Sequence, residues 1–145
     1  MKAVIQRVKQ AEVKVLGQSV GRIDQGLAVL LAIAETDTLS QAKAMAEKII
    51  NLRLFGDEQN KMNLSVKEIG GQILVVSQFT LYGDCRRGNR PSFTKAAKGQ
   101  LAVNLYETLI DLLKTSGLKV ATGNFGADMA LELINDGPVT LIVEI

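Results

Sequence analysis

Gly26-Leu27-Ala28-Val29-Leu30-Leu31-Ala32-Ile33-Ala34 is an uninterrupted apolar run behind a glycine. A strand with one wet face alternates apolar and polar residues, so a run without alternation predicts a strand buried on both faces. The run is far shorter than the ~20 residues of a membrane span, and no other segment approaches that length. A strand buried on both faces needs layers above and below it, which points to an α/β domain.

Upstream, residues 2–8 and 11–16 alternate apolar and polar positions, and Gly17 opens a turn into Ser19–Ile23. These read as a β-meander with one buried face. Downstream, Thr38 and Gln41 have capping-box spacing, and Ala42, Met45, Ala46, Ile49 and Ile50 form one helical stripe. That helix is expected to end near Phe55-Gly56-Asp57, with Asp57–Asn63 as a polar loop. Gly70-Gly71 then turns the chain into a second apolar strand, Gln72–Leu81. Pro91-Ser92 is a sound start for a second helix, whose buried face is Leu101, Leu105, Leu109, Leu112 and Leu113 and whose C-terminal cap is Gly117. Lys119–Ile145 returns to strands. Two helices are too few to cover both faces of a large parallel sheet. The expected fold is therefore α/β, with mixed β-sheets of barrel or sandwich character and two main helices packed on one side, in a single domain over residues 1–145.

Composition narrows the chemistry. The 145 residues are 47% hydrophobic, which fits one compact domain. Charge interrupts Met1–Arg7 too early for a signal peptide. The single cysteine, Cys85, excludes an internal disulfide and suits a reducing cytoplasm. Beside Arg86 and Arg87 it could be a thiolate, but it has no histidine base and reads as an incidental loop residue. The chain contains no histidine at all. That excludes a Ser-His-Asp triad, a Cys-His pair and histidine metal ligands. Catalysis must draw on carboxylates, hydroxyls, lysine, backbone dipoles or a group of the substrate itself.

Net charge is only +2, yet Arg86, Arg87, Arg90, Lys95 and Lys98 cluster after Asp84. The cluster reads equally as a phosphate-holding loop or a solvated one. Ser77-Gln78-Phe79-Thr80 closes the second apolar strand, where folds commonly place functional groups. It offers two hydroxyls, an amide, a ring and a backbone N–H, but no neighbouring base. Its alternative is a strand edge whose polar groups satisfy one another. Phe125 and Met129, in the glycine-containing segment Thr122–Met129, could sandwich a nucleobase or serve as core. Finally, Asn135-Asp136-Gly137-Pro138-Val139-Thr140 places proline between two strand-like runs, Leu131–Ile134 and Leu141–Val143. Proline avoids strand interiors. A tight hairpin turn is the plain reading; a rigid cis Gly-Pro unit presenting two carbonyls is the functional one.

Taken together, these segments resemble the D-aminoacyl-tRNA deacylases (the D-tyrosyl-tRNA deacylase family). The resemblance runs from Met1 to Ile145 through Ala3–Val8, Lys61–Leu64, Ser77–Leu81, Arg90–Phe93, Thr122–Met129 and Asn135–Thr140, with small departures at Gly83, Asn124 and Ala130. It implies a cytoplasmic homodimer acting on aminoacylated tRNA, without membrane attachment, cofactor or required metal. It implies editing: hydrolysis of the ester linking a D-amino acid, and in part glycine, to tRNA. By resemblance Gly137-Pro138 is cis, projects into the partner subunit's pocket and rejects L side chains, with Arg7 fixing it. Ser77, Gln78, Phe79 and Thr80 line the pocket, with the Phe79 N–H as oxyanion donor and the tRNA 2′-hydroxyl assisting. Phe125 and Met129 contact adenine, and Arg86, Arg87, Arg90 and Lys95 meet phosphates. The alternatives are a Thr80 nucleophile, a hydrolase of small D-amino-acid esters, and a non-catalytic RNA-binding module.

Overall fold

The computed structural model describes residues 1–145. Strand β1 (Lys2–Val15) runs antiparallel to β2 (Gln18–Ile23) and β3 (Gly26–Ala32), and β3 is followed by helix α1 (Leu39–Asn51). A separate two-stranded ribbon, β4 (Arg53–Gly56) with β5 (Met62–Ser65), leads to β6 (Gln72–Ser77), which lies parallel to β3. A 3-10 turn (Phe79–Tyr82), helix α2 (Gly99–Thr115), β7 (Lys119–Thr122) and the long β8 (Ala130–Glu144) complete the chain. The main sheet runs β2-β1-β3-β6-β7, with β8 on the free edge of β1. It curls until β2 meets β7. At Gly21 a Cβ would lie 2.5 Å from the Thr122 carbonyl oxygen, so the near-closed barrel needs glycine there.

The Leu27–Ala34 run is explained by two cores. Leu27, Val29 and Leu31 point into the larger one with Ile73 and Val75 of β6, Met45 and Ile49 of α1, and Leu105, Leu109 and Leu113 of α2. Ala28 faces the smaller core on the other side, with Leu74, Val76, Val8, Val13 and Ile23. Alternation is present, but both of its phases are apolar. Both helices cover one face, as expected, and the Thr38–Gln41 capping box forms.

Several boundaries differ from expectation. Residues 2–8 and 11–16 are one strand, bent where Lys9 bulges between the pairs Val8↔Asn135 and Gln10↔Ile134. Leu16 and Gly17, both at positive φ, form the two-residue turn into β2. Helix α1 stops at Asn51 because the chain reverses there into β4. Strand β6 ends at Ser77, where Gln78 leaves the extended conformation for the 3-10 turn. Helix α2 begins at Gly99 and not at Pro91, because Ser92 and Ala96 are held in isolated bridges to Asp84 and Ala34, with a turn between them. Asp84 and Ser92 exchange backbone hydrogen bonds (2.8 and 3.0 Å), and the Ala97 N–H donates to the Ile33 carbonyl (2.8 Å). The hairpin reading of Asn135–Thr140 fails: β8 continues through it without reversing, paired with β1 on both sides. Gly117, at φ +84, terminates α2 as read.

Candidate active site

Pairing of Leu31 with Ser77 brings the end of β6 beside the end of β3, and the Gln78 N–H donates to the Leu31 carbonyl (2.7 Å). The 3-10 turn starts at the next residue. The first N–H groups of such a turn have no acceptor within it, and no side chain caps this one. These donors stand beside a small recess of about 70 Å³ lined by Leu31–Ile33, Ser77, Gln78, Phe79, Ala97, Ala102, Phe125 and Gly126. No lining side chain is ionisable. The Thr80 hydroxyl is exposed and accepts a hydrogen bond from the Gln78 amide; no carboxylate or amine bonds it. Phe125, 42% exposed at the mouth, leans on Tyr106 (centroids 5.3 Å apart). The Tyr106 hydroxyl donates to the Val75 carbonyl (2.9 Å), and burial pushes its pKa above the ordinary tyrosine value.

Gly137-Pro138, which is cis, lies on the exposed side of β8. Between the pairs Gln6↔Thr140 and Val8↔Asn135, β1 contributes one residue, Arg7, and β8 contributes four. The excess forms a wide bulge, and side chains brace it. Arg7 Nε donates to the Asp136 carbonyl (3.0 Å), Arg7 Nη1 to the Leu54 carbonyl (2.5 Å), and the Asp136 carboxylate lies 3.5 Å from Nε. Asn135 Oδ1 accepts from the Val139 N–H (2.8 Å), and Asn135 Nδ2 donates to Thr140 Oγ1 (3.0 Å). The Asn135 amide thus spans the Gly-Pro pair as a local staple, a role its residue type alone does not reveal. Within one chain this element is far from the recess. Arg7 pairs with Leu27 and Leu27 with Ile73, whereas the recess begins four residues on, at Ser77. At ~4.8 Å per strand and ~3.3 Å per residue, the separation along the sheet is on the order of 20 Å.

The remaining predicted residues divide. Met129 is not in the recess; it packs against the smaller core and over Gly123, where a Cβ would lie 2.4 Å from its sulfur. Arg86 is ion-paired with Asp84 through Nε and Nη2, which holds the Asp84 carboxyl well below the usual carboxylate range. Arg87 and Arg90 are exposed and line an open trough with Arg86 and Ser92. Lys95 lines a neighbouring trough with Lys2 and Tyr82. The Lys2 ammonium sits 5.4 Å from the Tyr82 ring centre. Burial, aided by the Asp37 and Glu144 charges, pushes the Tyr82 pKa up to about 12. Phe93 closes edge-on against Phe79 (5.2 Å) and ties the basic loop to the 3-10 turn. No group of three or more carboxylate or cysteine side chains is placed to hold a metal, and no helix is long and apolar enough to cross a membrane.

Residues 4–144 match the family model described as D-Tyr-tRNA(Tyr) deacylase. A D-aminoacyl-tRNA deacylase of Halalkalibacterium halodurans is 59% identical, and one of Desulfatibacillum aliphaticivorans 57%, each over 99% of both chains. Among solved structures, one described as c-Myc DNA Unwinding Element Binding Protein is 40% identical, with a TM-score of 0.94, covering 100% of this chain and 99% of that one. A second, a probable eukaryotic D-amino acid tRNA deacylase, shares the fold at 18% identity and a TM-score of 0.87 over 99% of this chain and 98% of that one. The chain belongs to the D-aminoacyl-tRNA deacylase family and is a hydrolase of ester bonds.

Proposed function

We propose that the protein edits D-aminoacyl-tRNA as a homodimer, with the recess of one subunit closed by Gly137-Pro138 of the other. Water adds to the ester carbonyl, the bond from the acyl carbon to the ribose oxygen breaks, and free D-amino acid and tRNA leave. The observation that carries this reading is the chemistry of the recess: it offers the Ser77 hydroxyl, the Gln78 amide and turn N–H groups, but no side chain able to remove a proton. The Phe79 N–H is the donor for the developing oxyanion. The proton is handled by the substrate's own vicinal 2′-hydroxyl, whose fixed position is worth several kcal/mol of the barrier.

Chirality is selected by exclusion. The braced Gly-Pro backbone accepts the α-ammonium and leaves no space for an L side chain, and a braced backbone cannot relieve the clash by changing rotamer. A clash of ~4–5 kcal/mol gives discrimination on the order of a thousandfold. Glycine presents no side chain to exclude, so glycyl-tRNA is also cleaved. The ~20 Å separating the two elements in one chain favours a gate supplied in trans. So do the exposed apolar side chains at the C-terminal end of the chain, Ile142 of β8 at 70% and Ile145 just past it at 40%. Phe125 stacks the terminal adenine. Arg87, Arg90 and Lys95 take backbone phosphates and carry no sequence preference.

The competing mechanism makes Thr80 the nucleophile, but its hydroxyl faces an amide donor and lacks a base. Two substitutions separate the readings in single-turnover deacylation. Thr80→Ala is expected to retain activity within about tenfold, whereas a substrate ending in 2′-deoxyadenosine is expected to lose at least about a hundredfold, the range of a lost general acid–base group. Full turnover of the deoxy substrate sinks substrate assistance; complete loss in a folded Thr80→Ala dimer establishes the nucleophile. A small D-amino-acid ester, lacking the ribose, is expected to be a poor substrate.

A further inference from the structure

One motif, Lys61-Met62-Asn63-Leu64, has no part in the recess or in the Gly-Pro element. It lies in the β4–β5 ribbon, and that ribbon is linked to the Gly-Pro element through one guanidinium. Arg7 bonds two carbonyls, one on Asp136, immediately before Gly137, and the other on Leu54 of β4. The position of the guanidinium is therefore set as much by the ribbon as by β8.

The ribbon is built irregularly. Its pairs are Arg53↔Ser65, Phe55↔Leu64 and Gly56↔Met62. Leu54 is consequently an extra residue on β4, and Asn63 is an extra residue on β5. A bulged residue is left out of the ladder, so its backbone groups are free to aim elsewhere. That is how the Leu54 carbonyl comes to face Arg7. The second bulge is filled by Asn63 itself. Its Nδ2 donates to Asp57 Oδ2 (2.6 Å), its Oδ1 accepts from Arg53 Nη2 (3.0 Å), and its carbonyl accepts from Arg53 Nε (2.7 Å). Asp57 also accepts from the Gln59 and Lys61 N–H groups (2.9 and 3.0 Å), closing the turn. Four polar contacts thus converge on a four-residue stretch of an otherwise two-stranded, intrinsically weak ribbon.

We propose that the Arg53–Ser65 ribbon is the anchor of the Gly137-Pro138 element, with Asn63 as its positioning residue acting through the Leu54 carbonyl and Arg7. The inference rests on the chiral-gate reading above. Asn63 touches neither substrate nor recess. Removing its amide loosens the ribbon, lets the Leu54 carbonyl shift and frees the guanidinium to follow it. The gate then yields to an L side chain, while the recess that hydrolyses the ester is unaltered.

The test measures kcat/KM on D- and L-aminoacyl-tRNA for wild type, Asn63→Ala, Arg7→Lys, the double variant and Gly137→Ala. Asn63→Ala is expected to raise L-aminoacyl-tRNA cleavage about five- to tenfold, the equivalent of one or two lost hydrogen bonds. The D rate is expected to change less than about threefold, within the usual scatter of substitutions far from the chemistry. Because both act through one guanidinium, the double variant is expected to leak no more than Arg7→Lys alone. A folded Asn63→Ala that keeps the wild-type D/L ratio while Gly137→Ala leaks overturns the anchor. Additive leakage in the double variant also overturns it. If Gly137→Ala itself spares L substrates, the gate reading fails and the anchor with it. Should Asn63→Ala misfold, Arg53→Lys, which keeps the charge but loses the paired contacts to Asn63, carries the same expectations.

Discussion

Arg86 and Arg87 are adjacent and equally charged, but their surroundings give them different tasks. Arg86 is held by both oxygens of Asp84, while Arg87 and Arg90 extend into solvent without a carboxylate partner. A phosphate approaching the trough meets a neutralised pair at Arg86 and an uncompensated charge at its neighbours. Arg87→Ala and Arg90→Ala are each expected to weaken tRNA binding and to lower the slope of log K against log salt by about 0.7–0.9. Arg86→Ala is expected to change the slope by less than half as much. Titrations of uncharged tRNA at several salt concentrations check this, and equal slopes for all three variants refute it. The cluster was visible in the sequence as a charge count; which charges are free was not, because that depends on a turn returning Arg86 onto Asp84.

Helix α1 and strand β6 show how far element-level signals carry. The Thr38–Gln41 capping box was legible because its partners lie three residues apart, within reach of local geometry alone. The Ser40 N–H donates to Thr38 Oγ1 (3.2 Å), and the Thr38 N–H donates to Gln41 Oε1 (2.9 Å). Thr38→Ala is expected to destabilise the fold by about 1 kcal/mol, read as a lower denaturant midpoint at unchanged slope. The tie between α2 and β6 is of another kind: Tyr106 reaches the Val75 carbonyl across 31 positions of sequence. In Tyr82 and Tyr106, the two tyrosines of the chain, burial raises the folded-state pKa above the ordinary tyrosine value of about 10. A raised pKa contributes stability that is complete below pH ~10 and is lost as pH rises toward the folded values, because the unfolded chain ionises first. The tyrosinate absorption band is therefore expected to stay undeveloped near pH 10 and to appear only toward pH 12 or on unfolding. Tyr106→Phe is expected to flatten the fall in thermal midpoint above pH 10. A normal tyrosinate titration in the folded protein contradicts this.

The assembly as a whole decides whether the gate acts in trans, and a hybrid dimer tests it. One subunit carries Gly137→Ala, whose Cβ would lie 2.8 Å from Val139 and 3.0 Å from Arg7 at a φ of +132 that L residues rarely adopt. The other carries Ala97→Leu, which fills its recess. In this hybrid the one open recess faces the intact gate of its partner, so rejection of L-aminoacyl-tRNA is expected to return to the wild-type level. Leakage equal to that of the Gly137→Ala homodimer places the gate in cis. Patterns between neighbours in the chain were readable without coordinates. These include the Leu27–Ala34 run, the Leu105–Leu113 stripe (Leu101, expected on the same buried face, is exposed), the capping box, and the missing histidine that forbids whole classes of mechanism. They are readable because period, cap and composition are local quantities. The recess, the bulge at Gly137-Pro138 and the Arg7 link from Leu54 to Asp136 needed the folded chain. Each depends on strand register and on which side chain fills an irregularity in it, and register is fixed by contacts between segments that can lie more than a hundred residues apart.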